Sequence, residues 1–277
     1  MIPTSLSKRV IGAVALAAAL PFAATACGGD SGGGGGDGDT IVIGTKFDQP
    51  GLGMRNPDGT MSGFDVDVAT YVAGELGYTP EQIEWKEAPS AQRETLIQNG
   101  QVDFIAATYS ITDSRKERVD FAGPYLITGQ SLLVRADSND INGPADLENN
   151  KILCSVSGST PAQKIKDEFA GVQLQQFDTY SACIEALKNG AVDAVTTDET
   201  ILAGYAAQDP GVFKIVGDQF SEERYGIGLE KGNTELCTQI TDALTKMENE
   251  GAWTTAWDEN LGPAGLPAPT PPTPDAC

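Results

Sequence analysis

Asn99-Gly100-Gln101-Val102-Asp103-Phe104-Ile105 and Asn189-Gly190-Ala191-Val192-Asp193-Ala194-Val195 are one phrase written twice in a chain of 277 residues. Asn-Gly fits the left-handed cap that ends a helix, and the apolar run behind it reads as a strand. Outward from each copy the pattern is the same. Around the first lie a strand at 41–43, an amphipathic helix at 64–76 with Phe64, Val68, Val72 and Leu76 at spacings of four, a strand at 83–85, a helix at 92–98 and a strand at 102–106. Around the second lie a strand at 152–156, a helix from Pro161, a strand at 172–175, a helix at 181–187, a strand at 192–196 and a helix at 199–208. Strands alternating with helices predict parallel α/β sheets, and the repeat predicts two similarly built lobes. Such lobes offer the C-terminal edges of both sheets to a shared cleft, where open α/β sheets bind ligands.

Composition narrows the chemistry. With 18 Lys+Arg against 39 Asp+Glu the net charge is −21, which repels phosphate backbones, so no nucleic-acid partner is expected. The sequence has no histidine, which removes Ser-His and Cys-His nucleophile pairs and His-ligated zinc. No cofactor, no metal and no catalytic residues are expected.

The two ends point to export. Lys8 and Arg9 precede an apolar run at 10–24 that fits a signal-peptide core, giving a signal peptide over 1–26. Ala24-Thr25-Ala26-Cys27 resembles a bacterial lipidation site and also reads as an ordinary A-x-A cleavage site. If Cys27 carries lipid, Cys154, Cys183, Cys237 and Cys277 remain as an even set for disulfides in an oxidising compartment. Lipidated Cys27 and the Gly-rich segment through residue 39 would tether a body to the outer face of the cytoplasmic membrane. The Pro-rich tail at 263–277 cannot continue a helix, and Cys277 at its end suggests a staple to the body. Four cysteines allow three pairings; Cys237 is the expected partner of Cys277, because Cys154 and Cys183 fall together in another region.

Several residues could hold a small ion. Thr160 reads as a helix N-cap, with Pro161 at the first helical position and Gln163 completing a capping box. The free N–H groups around Ser159 and Thr160 would then receive a carboxylate or phosphate. Thr108, Ser110 and Thr112 alternate past the strand at 102–106, with Arg115 one turn on, a guanidinium able to grip a carboxylate through two hydrogen bonds. Asp198, at the matching edge of the second lobe, could accept from an ammonium group or cap the helix at 199–208.

Gly63-Phe64-Asp65-Val66-Asp67-Val68-Ala69-Thr70-Tyr71-Val72-Ala73 resembles the signature segment of the family 3 extracellular solute-binding proteins of polar amino-acid ABC importers. The resemblance continues through Thr108 to Arg115, Val119 to Tyr125, Ser157 to Thr160 and Val192 to Asp198, over roughly residues 40 to 261. It implies a two-lobed, type II periplasmic-binding-protein-like α/β fold with a ligand cleft between lobes joined by two hinge strands, near 128–133 and 219–225. Lobe 1 would comprise 40–127 plus 225–262, and lobe 2 with its hinge 128–224. It also implies that Thr108 and Ser110 contact ligand ammonium and carboxylate, that Arg115 and Thr160 hold the α-carboxylate and that Asp198 takes the α-amino group. The partners implied are an amino acid and a membrane ABC permease, the chain acting as a monomer. Where members that take basic amino acids carry an acid and an aromatic, this chain has Lys46 and Gln49, with Arg55 in the same loop. Cations there favour an acidic side chain, and the segment 44–51 resembles actinobacterial glutamate-binding lipoproteins. Glutamate is therefore the expected ligand, with glutamine, aspartate or another amino acid as alternatives. A dehydratase-like enzyme or an amino-acid sensor are the alternatives of a different class.

Overall fold

The computed structural model describes residues 40–148 and 150–277. The expected signal peptide, Cys27 and the Gly-rich tether lie outside the described residues.

The chain opens with β1 (Ile41–Thr45), β2 (Asp48–Gln49), β3 (Gly53–Arg55), β4 (Met61–Ser62), α1 (Phe64–Glu75), β5 (Ile83–Glu87), α2 (Arg93–Gln98), β6 (Phe104–Ile105), α3 (Asp113–Lys116) and β7 (Asp120–Thr128). It continues through β8 (Gln130–Arg135), β9 (Ile152–Val156), α4 (Thr160–Glu168), β10 (Gln173–Phe177), α5 (Tyr180–Lys188), β11 (Ala194–Asp198), α6 (Glu199–Gln208) and β12 (Phe213–Val216). It returns as β13 (Glu223–Leu229), α7 (Thr234–Asn249) and α8 (Ala252–Asn260). Among the described residues these strands form a five-stranded sheet of order β5-β1-β6-β13-β7 in lobe 1 and another of order β10-β9-β11-β8-β12 in lobe 2.

The repeated phrase makes the same joint in both lobes. Gly100 and Gly190 take φ of +60° and +74°, the left-handed conformation that suits glycine. After α2, Gly100 N donates to Ile97 O (3.0 Å) and Gln101 N to Leu96 O (2.9 Å). After α5, Gly190 N donates to Leu187 O (3.2 Å) and Ala191 N to Ala186 O (2.9 Å). Both are Schellman caps. The aspartate of each phrase then fastens the first strand of its lobe: Asp103 Oδ2 accepts from Val42 N at 2.7 Å, and Asp193 Oδ2 from Ile152 N at 2.8 Å.

The sheets are not purely parallel as the alternation predicts. β1, β5 and β6 are parallel, as are β9, β10 and β11, but β13 runs antiparallel to β6 and β7, and β8 antiparallel to β11 and β12. The physical reason is the double crossing. The chain leaves lobe 1 along β7, passes Gly129 into β8, and returns from β12 to β13, so outgoing and returning strands run in opposite directions. The crossings are joined where Gln130 N donates to Ser221 Oγ (3.0 Å) and Phe220 N to Gln130 O (2.9 Å). A further difference is the small antiparallel sheet β2-β3-β4 within residues 48–62, too short in each strand for periodicity to reveal.

After β13 the chain completes the core of lobe 1. The Phe64 ring lies edge-on to Trp253 (5.2 Å) and Trp257 (5.8 Å), and buried Trp253 satisfies its indole N–H on Tyr125 O at 2.7 Å. Two disulfides occur among the described residues. Cys154–Cys183 ties β9 to α5, and Cys237–Cys277 staples the tail to α7, the pairing the sequence favours. The tail is also held by Asp275, whose N–H donates to Gly123 O (2.8 Å) and whose carboxylate pairs with Arg224 (2.9 Å). Replacing Cys154 and Cys183 together with alanine should lower the unfolding free energy by about 2–4 kcal/mol in a urea titration. An unchanged midpoint would contradict the bridge.

Candidate functional site

The cleft edge of lobe 1 is built from the loops that follow β1, β5 and β6. Behind β1, Lys46 and Gln49 are buried. Lys46 Nζ donates to Ser90 Oγ at 2.8 Å. Burial pushes Lys46 down from 10.5 to about 7, and the neighbouring Arg93 pushes it the same way. Behind β5, Arg93 opens α2 with its side chain buried. Its guanidinium donates to Ala107 O (2.9 Å) and Thr108 O (3.2 Å) and lies 4.1 Å from the centroid of the Tyr109 ring. Its Nε has no hydrogen-bond partner. Burial first, and Arg115 second, lower its pKa to about 10.

Behind β6, Thr108 has φ +46°, a conformation costly for a β-branched residue. It is fixed by Thr108 N donating to Asp65 Oδ2 (2.7 Å) and Thr108 Oγ1 donating to Gln49 Oε1 (3.2 Å). Asp65 is itself buried under Tyr125, whose hydroxyl donates to Asp65 Oδ1 at 2.8 Å, and burial raises its pKa to about 6 despite these bonds. Arg115 bonds to the protein through all three nitrogens: Nη1 to Ser110 O (2.7 Å), Nη2 to Gly158 O (3.0 Å) and Nε to Glu94 (3.3 Å). Burial alone would raise Glu94, but hydrogen bonds from its own N–H and from Tyr109, with the charges of Arg93 and Arg115, leave it below its ordinary value.

Lobe 2 contributes the opposite charge. Asp198 ends β11 and occupies the N-cap position of α6, yet its side chain makes no capping bond. Oδ2 accepts from the Tyr225 hydroxyl, while Oδ1 is buried without a partner. Burial, and then the carboxylate of Glu223, hold its pKa well above the usual range. Ser159, not Thr160, caps α4, accepting from Ala162 N at 3.1 Å. Thr160 is the first helical residue, and Gln163 bonds to Asp167 instead of closing a capping box. The Thr160 hydroxyl is left to bridge the lobes, contacting Ser110 Oγ (3.2 Å) and Glu223 Oε2 (2.7 Å).

Ser90, Arg93, Thr108, Thr160, Tyr180 and Asp198 are among the residues enclosing a small cavity between the lobes, about 10 Å³. That is room for about one water molecule, so an amino acid can enter only as the lobes part. A wider open groove of about 690 Å³ lies beside it, lined by Arg115 and Glu223 and sharing Ser159 and Thr160 with the cavity. The enclosed cavity is the better candidate, because unpartnered buried polar atoms of Arg93 and Asp198 belong to residues on its walls. Lys46, Gln49, Thr108, Ser110, Arg115, Ser159, Thr160 and Asp198 are thus gathered around the interlobe space. Arg55 is not: it is exposed at the end of β3, its guanidinium 5.4 Å from the Phe47 ring centroid. Thr112 is only half-buried and caps α3 by accepting from Arg115 N at 3.2 Å. Among the described residues no group of three or more His, Cys, Asp or Glu converges as metal ligands.

Residues 41–262 match the model of the bacterial extracellular solute-binding proteins, family 3. The chain belongs to this family. This solute-binding protein is 54% identical over 266 residues to the glutamate-binding protein GluB of Corynebacterium glutamicum, covering 91% of this chain and 89% of the relative. It is 37% identical over 218 residues to the ABC transporter glutamine-binding protein GlnH of Bacillus subtilis, covering 78% and 79%. Among solved structures, an ancestral arginine-binding protein bound to glutamine superposes with a TM-score of 0.76 at 35% identity, over 82% of this chain and all of that one.

Arg93, Ser90 and Tyr180 escape the sequence reading. A signal for the first two exists, since both follow the C-terminal edge of β5 as Thr108 follows that of β6. The Lys46 ammonium sets a pH dependence. In the unfolded chain it keeps its proton to about 10.5, in the folded protein only to about 7, so between these values the unfolded state binds the extra proton and stability rises with pH. Urea midpoints of Lys46→Met should rise less between pH 7 and 9.5 than those of the unsubstituted solute-binding protein. Equal rises would place Lys46 in water.

Proposed function

We propose that this chain is the exported substrate-binding component of an ABC importer, which captures L-glutamate by closing two lobes and hands it to a membrane permease. One observation carries the reading: Arg93 on lobe 1 and the half-partnered carboxylate of Asp198 on lobe 2 line one cavity, with Lys46 bonded to Ser90 of its wall and Arg115 in the adjoining groove. An amino acid with an acidic side chain has two carboxylates and one ammonium. Asp198 takes the ammonium, Arg115 with Ser110 and Thr160 takes the α-carboxylate, and Lys46 with Arg93 takes the side-chain carboxylate. Gln49 and Thr108 fix that wall, and Ser159 sets the start of α4. The arrangement calls for binding rather than catalysis, since each charged group is matched to a charge the ligand already has.

Glutamine is the second reading, favoured by the name of the Bacillus subtilis relative and by the depressed pKa of Lys46, which when neutral could accept from a carboxamide. Export, a lipid on Cys27 and action as a monomer complete the proposal, with support from the extracellular family and the sequence at 1–39.

Calorimetry against all common amino acids tests it. Glutamate should bind best, and Arg93→Ala should weaken it about 10- to 100-fold, the worth of a charge-assisted hydrogen bond. Lys46→Met should weaken glutamate more than glutamine. Tight binding of glutamine or aspartate with no heat from glutamate would overturn the assignment.

A further inference from the structure

Outside the cavity the lobes touch at a second place. Asp48, in β2 of lobe 1, reaches the start of α5 in lobe 2, where Asp48 Oδ2 accepts from Ser181 N at 3.0 Å. Ser181 is the second residue of a helix capped by Thr179, so its N–H is one of those without an intrahelical acceptor, at the positive end of the helix dipole. The hydroxyl of Tyr205, in α6, donates to Asp48 Oδ2 (3.2 Å) and also to the Asp48 backbone carbonyl. Next to Tyr205 in the chain, Gly204 faces Pro50 so closely that a Cβ on Gly204 would lie 2.1 Å from Pro50 O. Three residues of two helices therefore seat one short loop, with no group lining the cavity involved.

We propose that Asp48 is a positioning residue for ligand retention: with Ser181, Tyr205 and Gly204 it forms a clasp that holds the lobes shut and slows release of the ligand without touching it. The physical basis is additivity. A bond made only in the closed state shifts the open–closed equilibrium by its own free energy, whatever the ligand contributes. The helix start and the Tyr205 hydroxyl give the Asp48 carboxylate charge-assisted partners, and both face solvent instead when the lobes part. Gly204 sets the distance of approach. In a helix interior glycine is worse than alanine by roughly 1 kcal/mol, so its presence has a reason other than the stability of α6.

The proposal rests on glutamate binding for its kinetic readout only. In stopped-flow with L-glutamate, full-length Asp48→Asn and Tyr205→Phe should each release ligand roughly 10-fold faster, with association rates within about 2-fold. Gly204→Ala should do the same while its ligand-free melting temperature holds or rises, which a merely structural role would not produce. Tyr205→Phe and Gly204→Ala keep the charge of Asp48, so they exclude an effect of that charge on Lys46. Small-angle scattering without any amino acid gives a second readout: all three variants should have a larger radius of gyration than the parent. This readout decides the matter even if glutamate fails to bind. Release rates and radii of gyration indistinguishable from the parent's would overturn the clasp.

Discussion

A carboxylate oxygen buried without a hydrogen-bond donor is among the costlier things a folded protein can hold, and Asp198 holds one. On the opposite wall Arg93 is buried with its Nε unpaired. The two charges have opposite signs but belong to different lobes, so neither can relieve the other by local rearrangement. A molecule carrying separated positive and negative groups relieves both at once, and only while both lobes contact it. Capture and closure are then one equilibrium.

The rest of the fold serves to put those charges at strand ends that can approach and separate. The Asn-Gly caps stop α2 and α5 and turn the chain into β6 and β11, whose C-terminal ends lead to Thr108 and Asp198. Asp103 and Asp193 pin the neighbouring strands to these joints. The lobes are joined by the pair of crossings at Gly129 and at residues 217–222, bonded to each other through Gln130, Phe220 and Ser221. The clasp at Asp48 works at a distance from the cavity and adds to closure from the protein's own groups.

The sequence revealed much of this and concealed some of it for identifiable reasons. The repeated phrase is legible because a left-handed cap demands particular residues and a strand after it demands apolar ones. The antiparallel return of β13 is illegible because strand direction leaves no trace in periodicity. Arg115 and Asp198 stand out through their positions after strands, but Arg93 is hidden within Gln92-Arg93-Glu94, which looks like an ordinary charged helix start. Arg55 is drawn in by nearness along the chain to Lys46, whereas the small sheet turns it outward. Ser159 takes the cap expected of Thr160, and this frees the Thr160 hydroxyl for Ser110 and Glu223. The tail staple is readable from the distribution of cysteines, since Cys154 and Cys183 sit in one lobe.

In the proposed mode of capture, opposite charges on opposite lobes are joined through one ligand. A crystal structure of the protein grown with L-glutamate tests it most directly. The ligand ammonium should lie on Asp198 Oδ1, one carboxylate on Arg115 and the other against Lys46 and Arg93. A glutamate seated in the wider groove with no contact to Asp198 would contradict it.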